Sequence, residues 1–221
     1  MSDVRAELVQ KLWHGNDPFS SFDPSGIPVD TQGWGSTHPY LAQSVREVQP
    51  ALVIEIGAWK GGSVITLAKA IRDLGLNGVV LAVDTWLGSA EHWADPAMFA
   101  SLRIAQGYPS LYRTFMANII REGLEPYVLP LPLDSVNAGV LLRARKISAQ
   151  MLHIDAGHDY RSVSSDLNQW WPLLEPGGIL IGDDYRLDGH FPGVRRAFDE
   201  LAAATGLMLE HAPTKCRIRK S

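Results

Sequence analysis

The chain has 221 residues, 46% apolar and 20% charged, which suits one domain with a sizeable core and excludes a disordered, collagen-like or coiled-coil chain. Lysine and arginine total 20 against 24 acids, a net charge of -4 that builds no broad basic face, so no nucleic-acid partner is expected. Cys216 is the only cysteine, no apolar run reaches the ~18 residues of a membrane span, and Met1–Leu12 lacks a secretory signal's apolar core, so the expectation is a soluble cytoplasmic protein with no intrachain disulfide and no membrane contact.

Residues 4–13 read as a short helix. Residues 15–37 hold three prolines and four glycines and should be irregular. An irregular stretch of more than ~12–15 residues is usually a functional lid or a free arm. A helix is expected over His38–Val48, ended by Pro50. We therefore divide the chain into an N-terminal helical and lid segment, residues 1–50, and a main domain, residues 51–221. From residue 51 strands and helices alternate. Ala51–Ile56 is short, apolar and β-branched, as a buried parallel strand should be. Gly57–Gly62 is a glycine-rich turn, Ser63 an N-cap, and Val64, Leu67, Ala68, Ile71 and Leu74 follow helical spacing up to Gly75. Val79–Val83 is a second buried strand. Residues 89–123 read as an insertion with helical pieces such as Ser110–Arg121. Tyr127–Leu133 is a strand that Pro130 and Pro132 push to an end or edge position. Met151–Ile154 and Gly178–Ile181 are strands joined by a helix at Tyr160–Trp171. Gly193–Ala204 is a helix, and strand-like runs at Leu207–Glu210 and Cys216–Arg219 close the chain. The alternation predicts a mainly parallel sheet with helices on both faces.

Three constellations carry chemistry. In Glu55–Ser63 (EIGAWKGGS), Gly57 allows a sharp turn at a strand end, and Gly61 and Gly62 let a ligand approach backbone N–H groups at a helix start. Glu55 can accept from a ligand amine or order the loop. The glycine spacing is not the G-x-G-x-x-G of dinucleotide sites. Asp84 ends the second strand, 27 positions after Gly57, where a carboxylate can accept two ribose hydroxyls, and Trp86 is placed to cover an adenine ring or to fill the core. The third constellation is the sharpest. Asp155 follows one strand and Asp183 and Asp184 follow the next, so three carboxylates converge at one sheet edge if strands ~4.8 Å apart are neighbours. Left alone they would repel, and one would protonate. A hard divalent cation held by Asp155, Asp183 and Asp184 would resolve this, with magnesium, calcium or manganese as the candidates. His158 follows Asp155 on the same side of the sheet and suits general-base work.

Together these residues resemble the class I S-adenosylmethionine-dependent methyltransferases. Glu55–Ser63 is similar to their glycine-rich first motif, Val83–Trp86 to the ribose-binding acid, and Leu173–Asp184 (LLEPGGILIGDD) to the L-x-P-G-G turn and its following strand. Ile154–Tyr160 (IDAGHDY) with Gly182–Tyr185 (GDDY) resembles the metal-dependent small-molecule O-methyltransferases, including sugar and antibiotic-tailoring enzymes. In one place the pattern departs: Gly157 stands where relatives carry a second acid. The resemblance implies a Rossmann-like, doubly wound, mostly parallel seven-stranded α/β sheet with an antiparallel C-terminal strand. It also implies assembly as a homo-oligomer. The implied reaction moves a methyl group from S-adenosylmethionine to a hydroxyl of a small molecule, a sugar or a phenol, with a divalent metal such as Mg2+ assisting. In that reading Gly57, Lys60, Gly61 and Ser63 line the methionine part of the cofactor, with Glu55 supporting their loop, Asp84 holds the ribose, and Trp86 and Ser135 lie on the adenine side, Ser135 fitting a helix cap equally well. Asp155 touches cofactor, metal and reaction alike, and His158, or a water, accepts the proton.

Residues 15–37, with Trp34, Gly35 and His38, are placed to close over the site, and residues 88–109, with Glu91, His92, Trp93 and Tyr108, to select the acceptor. Three other readings fit parts of the sequence. A nicotinamide-dependent oxidoreductase explains the glycine loop and Asp84 but not the paired aspartates. A cofactor-binding protein without catalysis fits the departure at Gly157. A metal-independent methyltransferase would leave the aspartates structural.

Overall fold

The computed structural model describes residues 3–221. In chain order the elements are α1 (Val4–Trp13), α2 (Pro39–Val48), β1 (Leu52–Ile56), α3 (Gly62–Asp73), β2 (Val79–Val83), α4 (Ala90–Ala94), α5 (Pro96–Phe99), α6 (Leu111–Arg121), β3 (Val128–Leu131), α7 (Ser135–Ala144), β4 (Ala149–Ile154), α8 (Tyr160–Trp170), β5 (Leu174–Tyr185), α9 (Pro192–Thr205), β6 (Leu209–Ala212) and β7 (Thr214–Arg219). The strands form one seven-stranded sheet in the order β3-β2-β1-β4-β5-β7-β6. The first five strands pair in parallel, and β7 runs antiparallel to both β5 and β6. The expected mostly parallel α/β architecture is therefore present, with its direction of winding reversing between β1 and β4.

Side-chain alternation along the strands explains why both faces are covered. In β1 and β2, Ile54, Leu81 and Val83 face one apolar layer, and Val53, Val80 and Ala82 face the other. The first layer takes Leu8 of α1, Leu142 of α7, Trp170 of α8 and Phe198 of α9. The second takes Leu41 of α2, Leu67 of α3 and Phe115 of α6. Strands buried on both sides read as nearly continuous apolar runs, and β1 and β2 are buried throughout, with Glu55 the one polar residue among them.

Local chemistry accounts for the remaining boundaries. β3 is an edge strand, as its prolines require, and α1 covers it: Arg5 Nε donates to the Val128 carbonyl at 3.2 Å and Trp13 Nε1 to the Pro130 carbonyl at 3.0 Å. Ser63 is not the cap of α3. Gly61 takes that place at φ 91°, and Ser63 lies inside the first turn. A helix, α7, does start where Ser135 fits a cap, but the cap is the preceding Asp134, which accepts from the Asn137 N–H at 2.9 Å. Gly178–Ile181 is the middle of a longer strand that carries Asp183 and Asp184 in its last turn of pleat rather than beyond it.

Candidate active site

A cavity of about 660 Å³ lies over the carboxyl ends of β3, β2, β1, β4 and β5. In an open α/β sheet that is where ligands bind, at the point where the strand order reverses. Its floor follows the strand ends in order: Asp134 and Ser135 after β3, Asp84 after β2, Gly57 to Trp59 after β1, Asp155 to His158 after β4, and Asp183 and Asp184 in β5.

Gly57 is dictated by close approach. Its φ is 91°, and a Cβ there would stand 1.9 Å from the Asp155 carbonyl oxygen. The ends of β1 and β4 are locked at that point, with the Asp155 N–H donating to the Ile56 carbonyl at 2.8 Å. Asp84 faces the cavity. Its Oδ2 accepts from the Trp59 N–H at 2.8 Å and its Oδ1 from the Trp86 N–H at 2.7 Å. Burial pushes this carboxyl up, and those backbone donors oppose the rise. Each oxygen keeps lone-pair capacity for a further donor.

Four expected ligand contacts are corrected. Lys60 does not line the cavity; its buried ammonium pairs with Asp30 at 2.7 Å and donates to Gln32. Trp86 is core: its indole N–H donates to the Trp59 carbonyl at 2.7 Å, and its ring packs on Tyr112 and Phe115. Gly61 faces the Phe115 ring, and Gly62 lines the cavity in its place. Glu55 is buried beneath the loop, where it accepts from the Ser63 hydroxyl, which does reach the cavity.

The acidic cluster also differs from expectation. Asp183 is ion-paired with the buried Lys215 ammonium. Burial works against the Asp183 charge, but Lys215 and the nearby His153 hold its carboxyl below the usual value. Burial, then the Asp183 charge, push the neighbouring Asp155 carboxyl well up. Asp183 is therefore not one of three free carboxylates. The groups that converge are Asp155, His158 and Asp184, whose donor atoms lie within 4.8 Å of one another. His158 Nε2 lies 3.1 Å from Asp184 Oδ2 and its Nδ1 3.5 Å from Glu91 Oε2. The Asp184 hydrogen bond raises the His158 pKa, burial opposes it, and Glu91 adds to the rise. At Gly157, a Cβ would meet Ser162 Cβ at 2.7 Å, so the second acid of the resembling pattern has no room without local movement.

The segment over residues 30–36 forms one wall of the cavity, with Gln32, Gly33, Trp34 and Ser36 facing it. Trp34 stacks on Trp59 with ring centroids 6.5 Å apart, and Trp59 packs on His92 at 4.2 Å. From the 88–109 insertion, Gly88, Ser89, Glu91, His92 and Met98 reach the cavity, whereas Trp93 turns back to the Leu87 carbonyl. Lys215, Asp30 and Asp166 escaped the sequence reading, because no local pattern marks a residue whose partner is far along the chain.

A family model described as a methyltransferase domain matches residues 54–185, more than half of the chain. The chain belongs to this methyltransferase family. The methyltransferase is 24% identical over 196 residues to a rhamnosyl O-methyltransferase of Mycobacterium tuberculosis, covering 86% of this chain and 67% of that one. It is also 24% identical over 184 residues to the protein y4gI of Sinorhizobium fredii, but it spans only 18% of that protein's length against 82% of its own. Its fold is similar to that of a Bacillus cereus O-methyltransferase solved in complex with SAH, with TM-score 0.58 and 19% identity over 100% of this chain and 92% of that one.

Proposed function

We propose that the methyltransferase moves a methyl group from S-adenosylmethionine to a hydroxyl of a small molecule, a sugar or a phenol. The observation that carries this reading is the order of groups along the cavity: a hydroxyl after β3, a diol-binding carboxylate after β2, a glycine loop with free backbone after β1, and a basic imidazole between carboxylates after β4 and β5. That order matches a base, a ribose, an amino acid and a reacting centre laid along one sheet edge. The name of the mycobacterial relative supports a sugar hydroxyl, and the Trp34–Trp59 wall offers aromatic faces to either acceptor.

Bound there, S-adenosylmethionine would supply a methyl group on a sulfonium, open to in-line attack. The chain's part is then positioning. Asp84 accepts from the ribose hydroxyls. Gly57, Gly62 and Ser63 present backbone and hydroxyl groups to the amino-acid end. The 30–36 wall excludes water from the reacting centre. His158, oriented by Asp184 and Glu91, takes the proton from the acceptor hydroxyl.

The Lys215–Asp183 pair favours a ligand set for a divalent cation that differs from three aspartates. Asp155, His158 and Asp184 would hold it, two oxygens and one nitrogen, and it would lower the pKa of a coordinated hydroxyl. The imidazole favours manganese over magnesium, which prefers oxygen. A specific observation favours a second reading, transfer without metal: the Lys215 ammonium already neutralises the inner carboxylate.

Calorimetry with S-adenosylhomocysteine, with and without Mg2+ or Mn2+, on wild type and Asp84→Ala tests the reading. Micromolar binding that Asp84→Ala weakens supports it. Absence of binding in every buffer overturns it. A methyl-transfer screen over sugars and phenols, in excess chelator and with added metal, then separates the two readings of the acidic cluster.

A further inference from the structure

Ser135 is the first residue of α7 and faces the end of the cavity beyond β3. Its hydroxyl is held from behind by two buried groups. Trp170 Nε1 lies 2.8 Å from Ser135 Oγ, and an indole N–H can only donate. Ser135 Oγ also lies against Asp166 Oδ1, and an ionised carboxylate can only accept. The hydroxyl proton therefore goes to Asp166. One lone pair goes to Trp170. A single lone pair remains, and the open side of Ser135 is the cavity. Trp170 is fully buried and Asp166 is 6% exposed, so water does not compete for either bond. The adjacent Asp134 accepts one amide from Asn137 on each carboxylate oxygen and stays an acceptor whatever Asp166 does, so only a change in preference reports on Asp166.

We propose that Asp166 is a specificity-setting residue: by taking the Ser135 proton it fixes that hydroxyl as an acceptor, so this end of the cavity takes a heterocycle that presents an amino group and disfavours one that presents a carbonyl there. The inference rests on the cofactor reading above, in which Asp84 takes the ribose and the base lies on the β3 side, where adenine would bring its exocyclic amine. Asp166 does not line the cavity and acts only through Ser135, so it is a positioning residue.

The arrangement carries its own control. Burial pushes the Asp166 carboxyl up to about 6, Ser135 opposing and Asp159 at the start of the same helix adding to the rise. Asp159 is the charged group acting on Asp166 among the described residues; Ser135 and Trp170 are neutral. Below that pH a protonated Asp166 can donate to Ser135, which frees the Ser135 proton for the cavity and removes the preference.

The test is calorimetry with S-adenosylhomocysteine and its 6-oxo counterpart S-inosylhomocysteine, read as the ratio of the two affinities. The ratio cancels effects on the ribose and amino-acid ends, which the two compounds share. At about pH 8 wild type should favour the amino compound at least about tenfold, since an acceptor facing an acceptor leaves both unpaired. Asp166→Leu should bring the ratio down by most of that factor while changing S-adenosylhomocysteine affinity less than about threefold. Wild type at about pH 5 should show the same fall, and this series needs no variant to fold. A ratio near one for wild type at pH 8, or a ratio that neither pH nor Asp166→Leu moves, overturns the role of Asp166 and leaves the cofactor reading standing. Binding of neither compound overturns the cofactor reading, and the inference with it.

Discussion

The Lys215 ammonium is ion-paired with the Asp183 carboxylate at the floor of the cavity, and both side chains are buried. The cation that three converging carboxylates demand is in part supplied by the protein itself. It comes from β7, the antiparallel strand inserted between β5 and β6. The same ammonium lies 3.3 Å from His153 Nε2, and His153 Nδ1 lies 3.5 Å from Glu55, which holds Ser63. A polar chain thus runs under the site from β7 to the glycine loop. Its effect is to leave Asp155 and Asp184, with His158, as the groups open to a ligand.

Lys215→Met should be costly. Removing one partner of a buried pair leaves an uncompensated charge, which typically costs about 3–5 kcal/mol. Denaturant unfolding should show a loss of that order. The double variant Lys215→Met with Asp183→Leu should recover much of it, because replacing both partners by apolar groups can be nearly neutral. A single variant within about 1 kcal/mol of wild type would mean that Asp183 finds another partner.

Lys60 sits in the glycine loop yet fastens the wall opposite. Its ammonium reaches Asp30 and Gln32, Asn118 donates to the Asp30 carbonyl at 2.9 Å, and Arg103 pairs with Asp30 at 3.1 Å. Lys60→Met should speed amide hydrogen exchange over residues 30–36 and weaken S-adenosylhomocysteine binding by about tenfold, about 1.4 kcal/mol. Asp30→Asn should reproduce both effects in smaller measure, and the double variant should be little worse than Lys60→Met alone. If Lys60 instead held the ligand directly, Asp30→Asn would leave exchange and binding at wild-type values.

Gly57→Ala should damage the site more than its size implies. The new Cβ meets a backbone carbonyl, which cannot swing aside as a side chain can, and alanine is strained at φ 91°. Folding stability should fall by about 3 kcal/mol or more, as positive φ alone costs about 1–3 kcal/mol and the collision adds to it. Gly26, also at positive φ but with open space around it, provides the control: Gly26→Ala should cost about 1 kcal/mol. Equal losses at the two positions would show that conformational strain, not the β1–β4 contact, explains the first.

The parts of this molecule that are local were legible in its sequence. β1 and β2 are apolar runs between turn residues, broken only by Glu55, so their length and burial follow from pattern alone. Asp84 and Asp155 stand at strand ends and face the cavity, as their positions required. The errors share a cause. Lys60, Trp86 and Asp183 each have a side chain whose direction is set by a partner far along the chain: Asp30, Phe115 and Lys215. Period and spacing fix which strand end a residue occupies but not which neighbour claims its polar atoms. The span of α7 is hidden in the sequence for another reason: Val136 and Val140 are exposed on it, which blurs the apolar stripe that marks a helix.

The pH dependence of methyl transfer should expose the role of His158. Asp184, with Glu91, raises its pKa above the ordinary 6.5, so the imidazole holds its proton to higher pH than a free one. The form that can accept a proton is the neutral one. The rate should therefore climb with pH through that raised value and level off above it. The sign for stability is opposite: the pairing stabilises the fold fully below pH 6.5, and the gain is lost as pH rises through the folded value. Asp184→Asn removes the largest cause of the shift and should move the rising limb to lower pH, with Glu91→Gln moving it less in the same direction. His158→Gln should abolish the limb and lower kcat by about 10²–10⁴. The limb should persist in excess chelator if the imidazole itself takes the proton. Loss of all activity in chelator, restored by Mn2+, would instead make His158 a ligand and assign the proton to another acceptor.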